Sequence, residues 1–176
     1  MKEQVEIELK TLISKDQFEK LCSFYEPLEF VEQINTYFIT DDMKHYAFRI
    51  RERKGEKLFT LKQKINGMTV EHEKVFTGNF FDDEEIRKTL DSFAIHSPYR
   101  ILGCLITRRA VVNTKMAELC FDINSYNGLV DYEIEYEVKK EHDYQAAFQK
   151  ILDQADIVYE PSWGSKYRRC YESSHH

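Results

Sequence analysis

No run of apolar residues in this chain is long enough to span a bilayer, and no secretory apolar segment is present. These absences set the expectation of a cytoplasmic protein with no membrane partner. The four cysteines, Cys22, Cys104, Cys120 and Cys170, show no CxxC spacing and no paired histidines. That argues against zinc and for reduced thiols. No GxxxxGK(S/T) loop occurs, which excludes phosphate handling by a P-loop. Ser14, Ser162 and Ser165 lie in no GxSxG elbow, so capping and turn roles account for them. His45, His72, His96 and His142 lack a triad pattern and read as exposed or structural. An excess of positive charge is also missing. The net charge of -6 argues against nonspecific nucleic-acid binding, and no nucleic-acid partner is expected, although a local basic cavity stays open. Finally, there is no linker, repeat array or low-complexity tract, so the 176 residues read as one domain.

What is present is alternation. Glu6-Ile7-Glu8-Leu9-Lys10 places two carboxylates and an ammonium on one face of a strand. Adjacent carboxylates repel, and each favours a nearby cation. A divalent metal on Glu6 and Glu8, with Lys10 reaching a phosphate, would satisfy all three. Eight strands are expected, at 4–11, 30–39, 46–54, 57–65, 69–77, 103–112, 117–124 and 130–138. Lys54-Gly55-Glu56, Asn66-Gly67 and Asn127-Gly128 supply turns between them. Three helices are expected as well. The first starts at Ser14, with Gln17 as its capping-box partner. The second follows the acidic run Asp82–Glu85 and carries Ile86, Leu90 and Phe93. The third carries Tyr144, Ala147, Phe148, Ile151, Leu152 and Ala155. A turn or short helix follows Trp163-Gly164, with Trp163 as an anchor. Strands and helices mix without βαβ alternation, which favours an antiparallel α+β fold.

Sorting the polar faces by sign separates two sets. Arg49, Arg51, Arg53, Thr60, Lys62, Lys64, Thr107 and Arg109 make a mostly basic one. Glu6, Glu8, Glu71, Glu73, Glu133, Glu135 and Glu137 make an acidic one, while the seventh strand offers Asp122 and Asn124. Arg108, next to Arg109, leaves the register of that strand open. Two arrangements account for the pattern. One is an open sheet with a solvated polar face. The other is an eight-stranded barrel with its polar face inward, enclosing a charged tunnel under amphipathic helices. The second is worthwhile only with a charged ligand and a metal.

The ordered set of motifs resembles the CYTH superfamily, the triphosphate tunnel metalloenzymes. It runs from ExExK at 6–10 through Phe48-Arg49-Ile50-Arg51, Thr60-Leu61-Lys62 and Glu71-His72-Glu73. Leu102–Arg109, Asp122, Asp131-Tyr132-Glu133-Ile134-Glu135 and Ser165-Lys166 complete it. The likeness covers nearly the whole chain and is greatest to stand-alone bacterial members of the Firmicutes type. It implies a single domain over 1–176, built as an eight-stranded antiparallel barrel, and Mg²⁺ or Mn²⁺ as cofactor. Glu6, Glu8, Asp122, Glu133 and Glu135 would hold the metal. Lys10, Arg49, Arg51, Lys62, Arg109 and Lys166 would hold a triphosphate, with Arg169 close enough to contribute. Glu133, Glu135 and Arg51 would be catalytic. The implied activity is metal-dependent hydrolysis of a small triphosphate, inorganic, thiamine or nucleoside. Cyclisation of ATP to cyclic AMP and non-catalytic binding of polyphosphate or nucleotide are the alternatives.

Overall fold

In the computed structural model, which describes residues 1–41, 48–162 and 164–174, the elements follow in this order. They are β1 (Lys2–Glu6), β2 (Glu8–Ile13), α1 (Lys15–Cys22), β3 (Val31–Thr40), β4 (Phe48–Arg53), β5 (Glu56–Ile65) and β6 (Met68–Phe76). A 3₁₀ turn (Phe80–Asp82) leads to α2 (Glu84–Ser92), β7 (Tyr99–Asn113), β8 (Ala117–Tyr126), β9 (Leu129–Val138), α3 (Tyr144–Asp153) and α4 (Lys166–Ser173). The fold is α+β, with a nine-stranded sheet in the order β1-β6-β5-β4-β3-β7-β8-β9-β2. His45, Trp163, His175 and His176 lie outside the described residues, as do the first two residues of the strand expected at 46–54.

Nine strands replace the expected eight because the segment 4–11 is two strands, not one. β1 pairs with β6 and β2 with β9, so the chain changes partner at Ile7. Alternation continues through that residue, and only the pairing reveals the break. Elsewhere local chemistry decides. Lys54-Gly55, Asn66-Gly67 and Asn127-Gly128 have positive φ at both residues, as a type I′ hairpin turn requires. Ser14 and Gln17 form the expected reciprocal capping box. Asp83 caps α2 by accepting from the amides of Glu85 and Ile86.

The chain divides into two compact units. One comprises Met1–Glu6, Gln33–Leu105 and Lys166–His176; the other comprises Ile7–Glu32 and Ile106–Ser165. In the first, Ile86 and Leu90 of α2 pack with Phe48, Phe59, Leu61 and Ile95. In the second, Phe18 and Leu21 of α1 and Phe148 and Leu152 of α3 pack on Leu119, Phe121, Ile134 and Tyr136. Each fully buried side chain of this size contributes ~1.5–3 kcal/mol through apolar burial. In both units the apolar parity of the strands thus faces helices, leaving the opposite parity for polar groups.

Candidate functional site

In the first unit, strand register builds a polar row. Phe48 and Ile50 turn into the core, so Arg49 and Arg51 take the other face of β4. Arg49 stands opposite Thr60 and donates to its hydroxyl at 3.1 Å; the same hydroxyl donates to Glu73 at 3.4 Å. Arg51 stands opposite Asn35 and donates from Nε to its Oδ1 at 2.8 Å. Lys62 Nζ lies 2.8 Å from both oxygens of Glu6 and 3.6 Å from Glu71. Gln4 donates to the other Glu71 oxygen at 3.3 Å. Burial, followed by the charge of Glu71, raises the Glu73 pKa above its ordinary value, with Arg49, Arg51 and Lys2 pulling the other way.

The short helix α4 brings more positive charge. Lys166 and Arg169 are both buried, one helical turn apart, as is Cys170. Tyr167 meets Tyr37 with ring centroids 6.2 Å apart, and Cys170 packs at Gly103. Arg168 points elsewhere and pairs with Glu172.

The second unit repeats the logic with more carboxylates. β7, β8 and β9 pair so that Arg109 opposes Asp122, which opposes Glu133. Lys10 opposes Glu135, and its Nζ lies 3.3 Å from Glu8. Asp122, Glu133 and Glu135 are buried, and each offers an oxygen within 4.8 Å of the others. This trio supplies hard oxygen donors that could hold a metal ion. Arg109 reaches into the same group. Its Nε and one terminal nitrogen donate to the two oxygens of Asp122 at 2.7 and 2.6 Å, and that nitrogen also meets Glu135 at 2.6 Å. Burial works against the guanidinium charge. Asp122 and Glu135 more than offset it, holding the Arg109 pKa well above its usual value. Burial also pushes the Cys120 thiol up to about 12, so it stays protonated beside them. A hydrogen-bonded chain continues the row. Thr107 donates to Asn124 at 2.8 Å, and Asn124 and Tyr126 donate to Asp131 at 2.8 and 2.7 Å.

The expected parity therefore holds for Arg49, Arg51, Lys62, Arg109, Asp122, Glu133 and Glu135. Arg108 belongs to the other face, where its guanidinium lies 5.8 Å from the Phe30 ring centre. The break at Ile7 assigns Glu6 and Glu8 to different strands. The described histidines sit apart from these rows. His72 packs on Phe93 and lies 3.3 Å from Glu3, His96 meets Asp91, and His142 meets Tyr136. Asn35 was not legible as a site residue, although Gln33, Asn35 and Tyr37 share the parity that faces Arg49 and Arg51.

A CYTH domain model matches residues 4–171. The chain belongs to the CYTH family. This CYTH protein is 31% identical to "Putative triphosphatase YjbK" of Bacillus subtilis (strain 168) over 170 residues, or 89% of this chain and 90% of that one. Among solved structures, a protein of Bacillus halodurans described as a "putative adenylate cyclase" is 33% identical. It superimposes with a TM-score of 0.85 over 96% of this chain and 98% of its own. The Hippeastrum protein HpAC1, described as a "putative adenylyl cyclase" with a dominant triphosphatase activity, shares the fold at TM-score 0.78 and 23% identity, over 96% of each chain. No helix among the described residues of the CYTH protein is long and apolar enough to cross a membrane.

Proposed function

We propose that this CYTH protein hydrolyses a small triphosphate, such as inorganic triphosphate, with the help of Mg²⁺ or Mn²⁺. The observation that carries the reading is the buried trio Asp122, Glu133 and Glu135 with Arg109 bonded into it. So many buried carboxylates are costly for a site that only captures phosphate, and they are explained by a cation. The curated relative described as a triphosphatase supports the same reading.

In this scheme Lys10, Arg49, Arg51, Lys62, Arg109 and Lys166 meet the phosphate oxygens through charge-assisted hydrogen bonds. Glu6, Glu8, Asp122, Glu133 and Glu135 hold the cation, which when bound neutralises phosphate charge and acidifies water. Glu133 or Glu135 orients the attacking water toward the terminal phosphorus. A new P–O bond forms, the bridging P–O bond breaks, and inorganic triphosphate leaves as phosphate and pyrophosphate. Arg51 stabilises the charge of the transferring group. Residues 1–176 act as one domain.

Cyclisation of ATP is the second reading, favoured by the description of the Bacillus halodurans relative. Cyclisation needs recognition of adenine and of a ribose hydroxyl. The groups identified here address phosphate and metal. Purified protein should be incubated with inorganic triphosphate, thiamine triphosphate and ATP under each metal, and the products separated. Phosphate release from inorganic triphosphate should far outpace cyclic AMP formation from ATP. Cyclic AMP and pyrophosphate from ATP, with inorganic triphosphate untouched, would overturn the hydrolase reading.

A further inference from the structure

We infer that Asn35 is a positioning residue: it fixes the Arg51 guanidinium for triphosphate without adding negative charge. The inference rests on the reading of Arg51 as a phosphate ligand. Asn35 is fully buried on β3, directly opposite Arg51 in the β3–β4 register. Both ends of its amide are engaged. Nδ2 donates to the Leu105 carbonyl of β7 at 3.1 Å, and Oδ1 accepts from Arg51 Nε at 2.8 Å. The first bond settles which way the amide points, because only the nitrogen end can donate to a carbonyl. The oxygen end is thereby aimed at Arg51.

A guanidinium is planar and rigid, so holding Nε fixes the plane of its two terminal nitrogens. Those are the donors that match a phosphate edge bidentately. The choice of partner matters as much as its place. Arg109 is oriented by Asp122 and Glu135, two carboxylates that oppose its charge at contact distance. Arg51 donates its orienting bond to a neutral amide and Arg49 donates one to the neutral hydroxyl of Thr60, while Glu73 acts on both arginines through its charge. Neutral partners orient an arginine while leaving its attraction for an anion undiminished by the orienting bond.

The test measures binding of metal-free inorganic triphosphate by calorimetry in a double-mutant cycle of Asn35→Ala and Arg51→Ala, with melting temperatures recorded for all four proteins. Arg51→Ala should weaken binding about tenfold or more, and Asn35→Ala about threefold to tenfold, in line with loss of a hydrogen bond to a charged group. In the Arg51→Ala background, Asn35→Ala should change binding no further, because its effect passes through Arg51. A structural role alone would lower the melting temperature in both backgrounds and weaken binding equally in both. Asn35→Asp is the second variant. It keeps an acceptor for Nε, gives up the donor to the Leu105 carbonyl and adds a charge; the charge makes binding fall more at low ionic strength than at high. Additive effects of Asn35→Ala and Arg51→Ala on binding, or an Asn35→Asp protein that binds as tightly as the parent, overturn the inference and leave the proposed function standing. No effect of Arg51→Ala overturns both the inference and the reading of Arg51 as a phosphate ligand.

Discussion

Glu73 and Arg109 show how a single residue registers the charge imbalance of these polar faces. The Glu73 pKa is raised by burial and by Glu71, above an ordinary value of 4.5. A carboxyl raised on folding stabilises the fold while it is protonated, fully so below 4.5, and that contribution is lost as pH rises through the folded pKa. Glu73→Gln mimics the protonated form at every pH. It should therefore melt higher than the parent at pH 7, with the gap closing as both are taken toward pH 4.5; a constant gap would mean that titration is not its source. Arg109 is the opposite case, a largely covered cation that neutralises two buried carboxylates. Removing one member of such a group costs about 3–5 kcal/mol, because the rest stays buried and unpaired. Arg109→Ala should melt lower, and Mn²⁺ should recover more of the loss than it adds to the parent, since the metal replaces the missing charge. An equal Mn²⁺ shift in both proteins would take Arg109 out of the cation's neighbourhood.

Among the elements, α4 docks with little room to spare at Gly103. A Cβ at Gly103 would come within 2.8 Å of the Cys170 sulfur, closer than side chains pack. Gly103→Ala should thus loosen the docking of α4, at a cost of about 1–3 kcal/mol. The same change should expose the Cys170 thiol, which is nearly inaccessible in the parent, to alkylating reagents. Faster alkylation with unchanged melting, or neither effect, would mean that the sulfur simply shifts aside. The neighbouring strands also show what alternation can and cannot encode. A period of two assigns each residue of β4, β5, β8 and β9 to a face, so Arg49, Lys62, Asp122 and Glu133 were legible as polar-face residues. Alternation carries no information about partners. The division at Ile7, the seating of Arg109 between Asp122 and Glu135, and the pairing of Asn35 with Arg51 all follow from register across strands. Helix α4 was half legible: a turn or short helix was expected there, with Arg169 close to Lys166, while the burial of both side chains rests on helical spacing that eight residues display only weakly.

At the scale of the whole molecule, the binding reading makes the fold a reporter of its ligands. Anything that binds the folded chain alone raises its stability by mass action. Mn²⁺ with a slowly turned-over triphosphate at a hundred times its dissociation constant should add about 2.7 kcal/mol. For a chain of this size that is a melting shift of roughly 5–10 °C, reversed by a chelator. No shift with metal and triphosphate together would count against the site. The mixture of strands and helices, and the antiparallel class, were legible because turn residues and amphipathic stripes are local signals. The division into two units was not, since each is assembled from distant segments and no composition shift marks the borders.

That assembly has a consequence during synthesis. β2 leaves the ribosome well before its partner β9, with Glu8 paired to Glu137 and Ile13 to Tyr132. At about 5–20 residues per second, β2 waits on the order of ten seconds for that partner. Throughout that interval Leu9, Leu12 and Ile13 belong to an unpaired edge able to join any passing strand. The charges of Glu8 and Lys10, on either side of Leu9, would then guard the nascent chain before they serve the finished one.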